Sequence, residues 1–265
     1  AQAELEDLVK QKVDGKIEED YNHKIVVYFP KSKKYKDSEK YKRWKDSLNN
    51  APERRTTTQF VFAFGANNLV TDKAVAHSDY RYWGSHFYEW GFTSNTRLFK
   101  NDNLLHLKYG FSVMYNNLRP TDNRLFVENG DQTILETSAV NLKDSRFRNV
   151  YITAPIHLEF DFTKTKKNAE GKTLFRTHEG VRFGIGGYAG FRVKSKQILK
   201  YEADGHDITV KQKGGFNTND FIYGVSTYLG YGATSLYLKY DLNPLFKDNA
   251  IKQNNISLGV RFDLN

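Results

Sequence analysis

A chain of 265 residues that is 39% hydrophobic and 15% aromatic, with a net charge of +9, has ample material for a folded core, which excludes wholesale disorder. It has no cysteine, which removes disulfides, a zinc-thiolate site, a thiol nucleophile and a lipoprotein anchor. No stretch approaches the roughly 18 to 20 consecutive apolar residues of a membrane-crossing helix, yet 19 Phe, 17 Tyr and 3 Trp stand beside a mean hydropathy of −0.68.

The chain opens on Ala1-Gln2-Ala3, which fits a mature start after removal of a signal peptide. Leu5, Leu8, Val9 and Val13 then fall on one face of a short amphipathic helix, too short to stand alone. The extended run Lys24–Phe29 is stopped by Pro30 and followed by the densest charge run, Lys31–Lys45, with eight Lys/Arg against Asp37 and Glu39. Residues 1–56 read as an N-terminal periplasmic extension and 57–265 as the main domain. Lys31, Lys33 and Lys34 are candidates for contact with a partner or with anionic headgroups, or form a solvated linker; Lys24–Phe29 could instead add to a partner's sheet edge.

From Thr57 the period is 2. Phe60, Phe62 and Phe64 mark strand one; Tyr88, Trp90 and Phe92 are one face of strand two, His86–Leu98; strand three alternates from Leu105 to Tyr115. The fourth runs Val150 to Phe162, the fifth Val181 to Val193, the sixth Phe221 to Tyr231, the seventh Leu236 to Leu242 and the eighth Ile256 to Leu264. Most reach the ~9 to 11 residues that a tilted membrane strand needs. Long and short connectors alternate, with Thr163–Glu179 the exception, long where a short turn belongs. Two hairpins are predicted within the long loops, one turning at Asn129-Gly130-Asp131 between Leu125–Val127 and Thr133–Leu135, the other at Asp204-Gly205.

On these strands the charges share a face with the glycines, and the opposite face is aliphatic and aromatic. A soluble barrel reverses this arrangement. The predicted fold is therefore all-β, an eight-stranded antiparallel up-and-down transmembrane barrel with a short N-terminal extension, placed in the bacterial outer membrane with periplasmic termini. A barrel of that size is filled by side chains, and charges kept from water must pair. The predicted lumen network is Glu89, Arg97, His106, Lys108, His157, Glu159, Asp161, Arg182, Arg192, Lys239, Asp241, Arg261 and Asp263.

Gly184-Ile185-Gly186-Gly187-Tyr188-Ala189-Gly190-Phe191 and the closing Ile256-Ser257-Leu258-Gly259-Val260-Arg261-Phe262 resemble the small outer-membrane β-barrel proteins of Bacteroidota, the group that includes PorT-like barrels of secretion and gliding machinery. The resemblance spans roughly Thr57–Asn265 and departs from the commonest terminal strand in ending on Asn265 rather than an aromatic. It implies location and fold and does not fix a role, since the group includes assembly subunits, secretion components and barrels of unknown purpose.

His157, Glu159 and Asp161 sit at alternate positions on one face, a spacing open to metal ligation or acid–base work; pairing with Lys108, Arg182 or Arg192 is the expected use. His106 and Ser112 share a face without an acidic partner evident there, so no catalytic site, metal or cofactor is expected. Phe126, Asn129, Gly130 and Asp131 are candidate partner-binding residues, because apolar side chains on an exposed ridge need cover. Expected partners are outer-membrane lipid and lipopolysaccharide, together with other outer-membrane or periplasmic proteins; no nucleic acid is expected. The functional expectation is a non-catalytic subunit of a larger envelope complex, with a small solute-conducting or ligand-binding barrel as the alternative.

Overall fold

A computed structural model describes Glu39 and residues 55–71, 74–75, 79–167, 171 and 173–264. The N-terminal extension, with its helix and Lys31, Lys33 and Lys34, lies outside the described residues apart from Glu39 and the short stretch leading into the first strand.

Eight strands form the barrel: β1 Thr56–Thr71, β2 His86–Arg97, β3 Leu105–Leu118, β4 Leu142–Asp161, β5 Val181–Ala203, β6 Phe221–Tyr231, β7 Thr234–Asp241 and β8 Gln253–Leu264. Each pairs antiparallel with its neighbour in sequence. The ring closes through β8 on β1, in register from Phe60↔Leu264 to Thr71↔Gln253. Closure leaves the membrane-crossing backbone without an unpaired edge, the condition for strands in hydrocarbon.

The pleat sorts the side chains as the alternation requires. Outward on β5 stand Ile185, Phe191 and Val193, the last two 66% and 60% exposed. Phe111, Ile152, Ile156, Leu229, Leu236 and Leu258 are exposed likewise on other strands. So continuous an apolar belt is foreign to the surface of a soluble monomer. Inward stand the polar residues, and glycines make room for the largest of them. A Cβ on Gly184 would collide with the ring of Tyr228, and one on Gly224 with that of Tyr188, so each tyrosine lies flat across a glycine of the adjacent strand.

Two strands run longer than the sequence pattern suggested. β4 starts at Leu142 and β5 continues to Ala203, where it pairs with an added strand, His206–Lys213. A three-stranded ridge thus stands beyond the belt. At its foot the β4–β5 register shifts between Arg192 and Lys194. This bulge flips the parity of β5, so that Ser195, Gln197 and Leu199 face inward and Lys194, Lys196 and Lys200 outward. Both predicted hairpins are present: Arg124–Asn129 pairs with Gln132–Thr137 around Gly130 (φ +59°), and β5 turns into 206–213 through Asp204 and Gly205, both at positive φ. The connectors at the loop end are 72–85, 119–141, 204–220 and 242–252. Those at the terminal end, where β1 begins and β8 finishes, are 98–104, 162–180 and the tight Gly232–Ala233 turn.

Candidate functional site

The lumen is built on two carboxylates that face several strands at once. Glu159 of β4 accepts from Lys108 (3.3 Å), Arg182 (3.2 Å), Tyr228 (2.7 Å) and Asn95 (2.9 Å), and His178 Nε2 lies 3.0 Å from it. Asp263 of β8 takes Lys108 at 2.7 Å, Arg182 at 2.6 Å and Arg261 at 2.9 Å. Arg182 also donates to the Gly232 and Ala233 carbonyls and to Ser235, tying the β6–β7 turn to the network. Higher up, Glu89 takes Lys239 at 2.6 Å and Ser112 at 2.7 Å, and the Lys239 ammonium lies 4.3 Å above the Tyr188 ring. Tyr188 bonds Asp241, and His157 lies 2.7 Å from Ser226. Among the described residues, the buried charges are Glu89, Glu159, Asp161, Asp241 and Asp263 against Arg97, Lys108, Arg182, Lys239 and Arg261. The balance has a physical cause: a charge buried without a partner costs several kcal/mol of desolvation that nothing returns. The chain is a small barrel of the outer-membrane type.

Both ends are closed by the protein itself. At the terminal end the described residues of the long 162–180 connector, above all 173–180, fold back under the lumen. Asp161 takes the Thr163 amide and hydroxyl and the His178 amide, fixing both ends of the segment. His178 reaches Glu159 and Gln59, the Phe175 ring lies 3.6 Å beneath the Arg97 guanidinium, and Asn103 donates to the Thr163 and Arg176 carbonyls. The connector that was too long for a turn is a plug.

At the loop end Leu69, Tyr80, Leu118, Phe126, Phe147, Phe216, Leu245 and Phe246 form an apolar core above the lumen. Phe126 packs against Phe147 with ring centroids 4.6 Å apart, and Gln197 bridges both the amide and the carbonyl of Phe126, at 2.7 and 2.9 Å. Beside this core a cleft of about 260 Å³ is lined by Tyr80, Phe126, Ile134, Leu135, Phe246 and Ile251, and by Asp79 and Arg124, which pair at 3.0 Å.

Arg192 lies on the inward face, opposite Tyr151, at the mouth of the lumen, where it donates to Ser195 and Asp220 bonds both it and Lys247. One expected placement is corrected. Phe126 is 2% exposed and covered by the chain's own loops, so it is not a docking contact; Asn129, Gly130 and Asp131 remain exposed at the hairpin tip. His106, Glu159 and Asp161 bring one ligand atom each within 4.8 Å of one another. Glu159 is already engaged by two cations and three further polar groups, and Asp161 by Thr163 and His178, so the donor set fits a salt-bridge node better than a metal ion. Ser112 bonds Glu89 and Thr153, not His106. The plug residues Phe175 and His178 had no periodic signal to single them out; the anomalous length of their connector was the only trace.

No protein-family model matches the chain. No curated protein matches it either. Among solved structures it is similar to Ail, the attachment invasion locus protein of Yersinia pestis, in complex with the heparin analogue sucrose octasulfate (11% identity over 80% of this chain and 100% of that one, TM-score 0.33). Ail alone (13% identity, 78% and 97%, TM-score 0.33) and Neisserial surface protein A (14% identity, 80% and 100%, TM-score 0.33) are similar to the same degree.

Proposed function

We propose that this protein is a sealed, non-catalytic barrel of the bacterial outer membrane, with termini in the periplasm and the loop end outside, acting as an accessory subunit of a larger envelope complex. The observation that carries this reading is closure at both ends by the chain's own side chains: the Phe175–His178 plug below and the Phe126–Phe147–Phe246 core above a lumen already filled by paired charge. A conducting barrel gains nothing from such an arrangement, whereas a rigid base for presenting loops does. The Bacteroidota PorT-like resemblance of the Gly184–Phe191 and Ile256–Phe262 strands supports a role in secretion, barrel assembly or uptake machinery. Gentle extraction through a C-terminal tag should recover stoichiometric envelope partners, and the purified chain should give no steps in planar bilayers. A clean monomer with regular conductance steps would overturn the reading.

The cleft of about 260 Å³ favours a second reading, in which the loop end binds a small amphiphilic solute. Saturable binding that is lost on filling the cleft with Leu135→Trp would favour it.

A further inference from the structure

Two sets of cations stand out at the loop end. One set reaches carboxylates: Lys143 pairs with Glu202 and Asp207, Arg119 and Arg146 with Asp144, Arg124 with Asp79, and Arg192 and Lys247 with Asp220. The other set, at the foot of the ridge, has no ion-pair partner among the described residues. Arg148, Lys196 and Lys213 stand directly opposite one another on three adjacent strands. Lys194 lies two positions from Lys196 on β5, and Lys211 two from Lys213 on the added strand.

Residues directly opposite on paired strands have Cβ atoms about 4.5 to 5.5 Å apart, and like charges there are destabilising. Three cations in one row, flanked by two more, therefore work against the ridge that carries them. Burial and the neighbouring Arg148, Lys194, Lys211 and Lys213 hold the Lys196 ammonium below its ordinary value. Lysines on an exposed edge strand often serve only to block unwanted pairing. That accounts for Lys211 and Lys213, but not for Lys194 and Lys196, whose strand is paired on both sides. Nor does it account for Arg148, which stands between Asn117 and Lys196 and whose Nε donates to Asn117 at 2.6 Å.

Their level in the barrel supplies the missing counter-charge. The outward belt of β4 ends at Val150 and that of β5 at Val193, and the next outward residues are Arg148 and Lys194. The cluster thus begins one step above hydrocarbon, facing away from the barrel axis, at the depth of lipid headgroups.

We propose that Arg148, Lys194, Lys196, Lys211 and Lys213 form a binding site for the phosphate groups of glycolipid in the outer leaflet. The site takes anionic oxygen from Arg148 and the lysines together and relieves their mutual repulsion when occupied. The proposal rests on the outward orientation of the loop end given above, but its test does not: binding is read on the solubilised full chain, whatever its orientation or conductance.

The experiment is native mass spectrometry of the full chain in detergent with bis-phosphorylated lipid A and with the same lipid dephosphorylated. The wild-type chain should retain the phosphorylated form at least tenfold more tightly. Each single change, R148Q, K194Q, K196Q, K211Q or K213Q, should weaken that form about fivefold, the contribution of one cation near an anionic surface. The variant carrying all of these changes should lose the preference altogether. K143Q and K247Q, whose cations have carboxylate partners, should leave it unchanged. Heat-modifiable migration on gels reports that each variant has folded, and the single variants decide the matter should the combined one fail to assemble. Equal retention of the two lipids by the wild-type chain would overturn the proposal. So would undiminished preference in the folded variants, or binding of soluble pyrophosphate without any preference between the lipids.

Discussion

Asp263→Asn tests whether the lumen is held by its ion pairs. Asp263 contacts three cations, Lys108 at 2.7 Å, Arg182 at 2.6 Å and Arg261 at 2.9 Å. Lys108 and Arg182 keep Glu159, at 3.3 and 3.2 Å, when that carboxylate is neutralised. Arg261, 1% exposed, is left facing an amide and the tyrosine rings. Breaking a buried pair by removing one partner costs about 3 to 5 kcal/mol, a large share of the roughly 5 to 15 kcal/mol that holds a typical folded chain. Unfolding by guanidinium in lipid vesicles, followed by tryptophan emission, should show a loss of that size. Removing the orphan as well, in Arg261→Met/Asp263→Leu, should recover at least half, because an apolar pair avoids the desolvation penalty. A loss below about 0.5 kcal/mol in the single variant, or a double variant no better than the single, would refute the claim that the lumen depends on pairing.

Phe126→Ala should remove about 3 kcal/mol of packing from the loop core, seen as proteolytic cleavage of the 124–137 hairpin while heat-modifiable migration shows the barrel intact. Gly184→Val should drive a side chain into the Tyr228 ring and destabilise by about 1 to 3 kcal/mol; Tyr228→Ala in the same chain should relieve the clash, so the double change costs less than the sum of the two. Lys247 and Arg192 hold the Asp220 carboxyl below its ordinary value, so its clip is in place above the unfolded carboxyl pKa near 3.9 and is lost as pH falls through the lower folded value. Amide exchange in 242–252, corrected for its intrinsic pH dependence, should accordingly show constant protection from pH 7 to about 5 and lose it only under stronger acid; a loss between pH 7 and 5 would point to another group.

The barrel was legible in the sequence because membrane strands obey one rule along their whole crossing. Outward residues meet hydrocarbon and inward ones meet each other, so period 2 with charge on the glycine face reads directly from Glu159 and Asp161 against Leu158 and Phe160. Arg192 keeps the inward parity, opposite Tyr151, and the bulge at Val193 ends that parity immediately after it. A trace of it is structural: Val193 and Lys194 are both exposed, which strict alternation forbids. The plug was illegible for a different reason. Phe175 and His178 lie in irregular chain, and their places are fixed by Asp161, Thr163 and Asn103, contacts that no local pattern encodes.

The ridge shows where the solvent changes. Within the belt an aromatic on β5, such as Phe191, faces out and a charge such as Arg182 faces in. Above the bulge Lys194 and Lys196 face out, and on β4 Phe147 faces in while Arg146 and Arg148 face out. Water replaces lipid at that level, so the same alternation carries the opposite meaning, and an aromatic becomes core rather than belt. The inversion falls between Val150 and Arg148 on β4 and between Val193 and Lys194 on β5, neighbouring positions on adjacent strands. That agreement places the upper limit of hydrocarbon on the barrel from side-chain chemistry alone, and it sets the cluster of Arg148, Lys194, Lys196, Lys211 and Lys213 immediately above it.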